Sequence, residues 1–242
     1  ANAVWGNRRA VLAGDFFYAR ASSMIVEDGD LDILWIFAAT IRSMAEGELL
    51  QLERSFDPSV TEAHYFAVIE HKSAVLLSAA CEAGSILGGV TRGERRKLAD
   101  YGRELGLAFQ LRDDALDYEA GEAELGKRAF ADLREGKITL PLLLALKRCS
   151  AAERDAIASV LKSAARLAEL AAARPGAEPV ADGALDMAPV LDALQRYHGV
   201  ADTIRRAELH RDRAIAAIAP FSVDRAKEDL LAAAHFAVAR DR

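Results

Sequence analysis

Cysteine is scarce in this chain, with Cys81 and Cys149 the only two among 242 residues. Two thiols build neither a disulfide framework nor a four-ligand zinc site, so a reducing, cytoplasmic setting is expected. Aromatic residues make up 7% and proline fills only 6 positions. Ala and Leu dominate instead, which favours close-packed helices over a sandwich or barrel. No apolar run reaches the roughly 18–20 residues of a membrane span. The longest candidate, Ser73 to Val90, is interrupted by Glu82 and broken by Gly84, Gly88 and Gly89. Asn2, Asn7, Arg8 and Arg9 stand where a secretory signal would need an apolar core, so none is expected. A basic excess is missing too. The 31 Lys and Arg against 37 Asp and Glu give a net charge of −6, and the scattered cations offer no nucleic-acid-binding face.

What is present is helical. The chain is 52% hydrophobic, and its apolar residues recur at i, i+3, i+4 and i+7 with no sustained alternation. The punctuation predicts a helix from about Val4 to Glu27, ended by Asp28-Gly29-Asp30, and a second from Leu31 to Arg54. Ser59-Val-Thr-Glu62 and Thr91-Arg-Gly-Glu94 read as capping boxes opening the third and fourth helices, the fourth running to about Tyr118. An irregular stretch follows from Glu119 to Gly136, then Pro141 in the first turn of a fifth helix and Ser150-Ala-Ala-Glu153 capping a sixth. A Pro/Gly loop spans 173–183, and Gly199 and Pro220 separate the last helices. With no repeat and no boundary, the expectation is one all-α domain over residues 1–242.

Chemistry concentrates in Phe109-Gln-Leu-Arg-Asp-Asp-Ala-Leu-Asp-Tyr118. At about 100° per residue, Asp113 and Asp117 lie about 40° apart, with Asp114 within about 100° of both and Gln110 on the Asp117 face. Three carboxylates on one side of a helix repel one another unless water or a cation neutralises them. Hard oxygens one turn apart suit Mg²⁺, which keeps waters and is completed by substrate phosphates. Taken alone, the pattern also suits a solvated acidic helix end. Downstream come Lys127 in Leu125-Gly-Lys-Arg128, then Asp132 and Lys137 in Asp132-Leu-Arg-Glu-Gly-Lys137-Ile-Thr-Leu-Pro141. Carboxylates for a metal followed by lysines as point charges is a layout for a metal-bound diphosphate; ordinary loop lysines are the alternative.

The order Gly106-x-x-Phe109-Gln110-x-x-Asp113-Asp114-x-x-Asp117-Tyr118, Gly126-Lys127, Asp132-Leu133 and Gly136-Lys137-x-Thr139-x-Pro141 resembles the second aspartate-rich motif and lysine loop of trans-polyprenyl diphosphate synthases. Ala1-Asn-Ala-Val-Trp-Gly-Asn7 and Val11-Leu-Ala-Gly-Asp15-Phe are similar to the segment after that family's first aspartate-rich motif. Glu46-Gly47-Glu48-Leu-Leu-Gln51 resembles its long-chain branch, the octaprenyl, solanesyl and decaprenyl synthases. His71-Lys72-Ser73-Ala74 looks like its Lys-Thr pair with Ser in place of Thr.

The resemblance implies a helical bundle of the isoprenoid synthase type around a deep central cavity. It implies a Mg²⁺-dependent prenyltransferase, with Mn²⁺ as a substitute, acting on an allylic diphosphate and isopentenyl diphosphate. Asp113 and Asp117 would ligate metal, with Asp114 as a ligand or behind one. Lys72, Lys127 and Lys137 would hold the allylic diphosphate, with Asp132 on a metal-bound water or on Lys137. Gln110, Ser73 and Gln51 would line the cavity beside the reacting carbons, and interhelical hydrogen bonds are the alternative for Ser73 and Gln51. Arg240 is the one weak candidate toward isopentenyl diphosphate. His64, His71, His198, His210 and His235 share no helical face and receive no role. A homodimer, a quinone side-chain product of eight to ten isoprene units, and transient membrane contact on product release are also expected. The family's first aspartate-rich motif and its N-terminal helices lie upstream of Ala1, so these residues alone are expected to be inactive. A non-catalytic partner subunit regulating a complete synthase is the alternative.

Overall fold

The computed structural model describes residues 2–119, 130–173 and 185–240. Among them every regular element is helical, and no strand occurs. Helices α1 (Asn2–Trp5), α2 (Asn7–Asp28) and α3 (Leu31–Glu53) lead into α4 (Glu62–Ile69). A π-helical segment, Glu70–Ala74, then passes directly into α5 (Val75–Leu87) and α6 (Arg92–Glu119). After these come α7 (Ala131–Arg134), α8 (Leu140–Arg148), α9 (Ala151–Ala172), α10 (Ala188–Arg196), α11 (Gly199–Ile218) and α12 (Arg225–Ala239).

The punctuation holds where side chains supply it. Thr91 and Glu94 close a reciprocal box, with Thr91 N and Oγ1 donating to Glu94 Oε2 at 2.9 and 2.7 Å. Ser150 does the same with Glu153 at 2.8 and 2.7 Å. The box read at Ser59 begins two residues later. Asp57 takes both the amide and the hydroxyl of Ser59, at 2.8 and 2.6 Å. Thr61 is therefore left to cap α4, accepting from His64 N at 3.2 Å. The first predicted helix is split at Gly6, whose φ of +77° no helix accommodates. The break before α11 belongs to His198, at φ +54°, and Gly199 opens that helix.

α6 is the axis of the core, flanked by α5 on one side and α11 on the other. Its inward stripe includes Tyr101, Leu107, Ala108, Leu111, Ala115 and Leu116. The short α8 is buried from Leu140 through Leu146. Tyr101 hydroxyl donates to Leu230 O at 2.7 Å, tying α6 to α12. α2 is different. It packs on α1 and α3 without a single buried residue, leaving Phe16 65% and Phe17 70% exposed.

The π turn has no local signature along the chain, because it depends on close helix approach on both sides. A Cβ on Gly47 of α3 would lie 2.9 Å from His71 Cβ, and one on Gly106 of α6 would lie 2.6 Å from Ala74 Cα. Gly106→Ala is therefore expected to lower stability by about 1–3 kcal/mol through overpacking. Gly84→Ala, with nothing within 4 Å of the added carbon, serves as control. Thermal unfolding of both variants checks this, and equal melting temperatures would contradict it.

Candidate active site

Three segments converge on a cavity of about 230 Å³. The first is the π turn, whose extra residue per turn re-aims side chains, a feature common at functional sites. Lys72 Nζ donates to Gln51 Oε1 on α3 at 2.9 Å and pairs with Glu48 at 2.7 Å. Ser73 Oγ donates to Gln110 Oε1 on α6 at 2.6 Å. The second segment is the end of α6, carrying Gln110, Asp113 and Asp114. The third is the turn after α7, where Gly136 at φ +86° lies against the Phe56 ring, too close for a side chain. That turn points Lys137 inward, held by Asp132 at 3.0 Å and Glu135 at 2.6 Å. Gln51, Lys72, Ser73, Gln110, Asp113, Asp114, Asp132 and Lys137 all line the cavity.

The three aspartates do not act alike. Asp113 is half exposed, and Arg240 Nη2 bonds it at 2.8 Å while its guanidinium lies 3.7 Å over the Phe109 ring. Asp114 is 2% exposed, accepting from Tyr65 hydroxyl at 2.5 Å and from Gln110 Nε2 at 2.8 Å. Gln110 thus serves Asp114, one turn on, rather than the Asp117 it was grouped with by angle. Asp117 was expected to share the cavity with Asp113. It lies off the lining, accepting the amides of Ala131 and Asp132 at 3.1 and 3.3 Å, because the start of α7 needs those donors satisfied. Lys127 lies outside the described residues.

Burial, reinforced by the charge of Asp132, pushes Asp114 up to about 7 and Asp117 up to about 6. Lys137 moves the other way from its burial, because hydrogen bonds and charge from Glu135 and Asp132 outweigh the desolvation and raise it. Clustered carboxylates that hold protons this late are a mark of a site built to receive positive charge.

Tyr65 is the residue that sequence reasoning missed, and no spacing rule joins it to an aspartate 49 positions away.

The profile of the polyprenyl synthetase family matches residues 1–173. This chain belongs to that family. It is 40% identical over 242 residues to octaprenyl diphosphate synthase of Escherichia coli (strain K12), covering 100% of this chain and 70% of that protein. A polyprenyl synthase from Caulobacter crescentus CB15, solved in complex with calcium and isoprenyl diphosphate, superposes with a TM-score of 0.81 at 38% identity. That match covers 100% of this chain and 69% of the other. A decaprenyl diphosphate synthase from Rhodobacter capsulatus gives 0.83 at 32% identity, with the same coverage of 100% and 69%. The relatives support prenyl transfer as the activity of the family's site and share its all-helical fold. No described helix is long and apolar enough to cross a membrane.

The raised aspartates fix a sign for pH dependence. A carboxyl with a folded pKa above its ordinary value stabilises the fold below that ordinary value and loses this contribution as pH rises through the folded one. Without metal, the melting temperature of the wild-type chain relative to Asp117→Asn is expected to fall between pH 4 and 7. A pH-independent difference between the two would contradict the burial of that charge.

Proposed function

We propose that this chain carries the diphosphate-binding half of a long-chain all-trans polyprenyl diphosphate synthase, one that makes a quinone side-chain precursor. The observation that carries this is the convergence of Lys72 and Lys137 with Asp113, Gln110 and Ser73 on one cavity. The donors fit Mg²⁺, or Mn²⁺ in its place. They are hard carboxylate oxygens. That suits an ion completed by waters and substrate phosphates. Asp113 would hold it from the cavity side and Asp117 from one turn on, with Asp114 behind them. Bound there, the metal supplies charge that offsets the departing diphosphate.

The residues divide the remaining work. Lys72 exchanges Glu48, and Lys137 exchanges Glu135, for diphosphate oxygens, joined by Lys127, while Asp132 keeps Lys137 aimed. The allylic C–O bond breaks, and the diphosphate leaves with the electron pair. The double bond of isopentenyl diphosphate attacks the allylic carbon, and the proton lost goes to the released diphosphate. Ser73 presents a neutral oxygen dipole to the developing cation, with Gln110 and Gln51 lining the cavity beside it, a preorganised electrostatic contribution. The calcium and isoprenyl diphosphate in the Caulobacter relative support this ligand class. A purely regulatory partner subunit is not favoured, since the relatives are synthases.

The exposed aromatic face of α2, with Phe16 and Phe17, supports a homodimer through this region. The reading also makes the enzyme cytoplasmic, touching membrane only on product release. In full-length protein, Asp113→Ala is expected to lower turnover at least about a hundredfold. The 242-residue chain by itself is expected to incorporate no radiolabelled isopentenyl diphosphate, because a second acidic cluster is needed to clamp the metals. Near-normal turnover of the variant, or incorporation by the isolated chain, would refute the respective assignment. Mass analysis of the full-length enzyme's product is expected to give eight to ten isoprene units; a fifteen- or twenty-carbon product would place the chain in the short branch.

A further inference from the structure

Four polar side chains along the cavity wall form one line, and its far end has no part in the reaction just described. Tyr65 on α4 is 5% exposed, its ring set edge-on against Phe66 at 5.4 Å. Its hydroxyl donates to Asp114 Oδ2 at 2.5 Å, and Gln110 Nε2 donates to Asp114 Oδ1 at 2.8 Å. The other amide atom, Gln110 Oε1, accepts from Ser73 Oγ at 2.6 Å.

The sequence of donors and acceptors leaves little freedom. Asp114 accepts at both oxygens and so meets the NH₂ of Gln110, not its carbonyl. The carbonyl is then turned to Ser73, whose single hydroxyl hydrogen is committed to it. What Ser73 has left for the cavity is lone pairs. A neutral, electron-rich oxygen fixed in that direction stabilises a developing cation, whereas a hydroxyl hydrogen turned the same way would oppose it. Without the phenol, Asp114 keeps one donor in a dry site, its carboxylate can turn, and the amide is no longer held in one orientation.

We infer that Tyr65 is a positioning residue that clamps Asp114, fixes the amide of Gln110 and so aims the lone pairs of Ser73 at the reacting carbons. This rests on the prenyl-transfer reading above, and the line of hydrogen bonds stands without it. Asp114 on this view acts on an amide, since both its oxygens are already occupied within the protein.

The test is a double-mutant cycle of Tyr65→Phe and Ser73→Ala in the full-length enzyme, read in thermal unfolding and in turnover. Tyr65→Phe is expected to lower kcat about tenfold, the size of one lost hydrogen bond, with KM for both diphosphates within about twofold. In the Ser73→Ala background the same change should cost no more than about twofold, because the end of the line is already gone. The unfolding cycle should be coupled in the same sense. Fully additive losses in either cycle would overturn the inference, as would a rise in KM with kcat kept, which marks plain substrate contact. Should Tyr65→Phe fail to fold, Asp114→Asn takes its place in the cycle. It keeps the shape but can turn an NH₂ toward Gln110, and coupling to Ser73→Ala is again expected. A wild-type enzyme without turnover but with a coupled unfolding cycle would refute prenyl transfer, and with it the role of Tyr65, while leaving the hydrogen-bond line intact.

Discussion

A methyl group at Gly47 or Gly106 would collide with the backbone or Cβ of residues 71–74, at 2.9 and 2.6 Å. The π turn is thereby held between α3 and α6 at distances open only to glycine. Much of the site follows from that contact. The wider turn carries Lys72 toward Gln51 and Glu48 on one wall, and Ser73 toward Gln110 on the other. A regular α-helix through the same residues would rotate these two side chains relative to their partners, and the cavity would lose either its cation or its hydroxyl.

Within that frame the charges are arranged to be exchanged. Lys72 is paired with Glu48, Lys137 with Asp132 and Glu135, and Asp113 with Arg240. Partly exposed pairs of this kind contribute only about 0–1 kcal/mol each. Charge-assisted bonds to a phosphate group contribute about 1.5–3 kcal/mol apiece, so a diphosphate can displace Glu48 and Glu135. Asp114 belongs to a different economy. Its carboxyl is buried and both its oxygens are taken by neutral donors of the protein. Adjacent residues on one helix thus separate into a replaceable outer charge at Asp113 and a fixed inner one at Asp114.

Much of this was legible in the residues themselves. Helix limits at Asp28-Gly29, Thr91 and Ser150 follow from caps and glycine, which act within a few positions. The acidic cluster and the Lys137 turn were visible for the same reason, since one helix and one short loop carry them. Errors came where two local signals competed, as at Ser59, where Asp57 captured the hydroxyl that was to cap α4. They came also where angular grouping stood in for contact, as with Gln110, which bonds Asp114 rather than Asp117.

The sequence by itself determined an all-helical chain, the order of acids and lysines, and the family to which they point, because periodicity, caps and motif spacing are written along the chain. Only the tertiary structure decided that Asp113, Asp114 and Asp132 line one cavity, that residues 70–74 form a π turn, and that Tyr65 and Ser73 meet the Asp114–Gln110 pair across 49 and 37 residues. Those contacts arise from how closely α3, α4 and α6 pack. That closeness is set by side-chain volume on facing helices, which no single segment records.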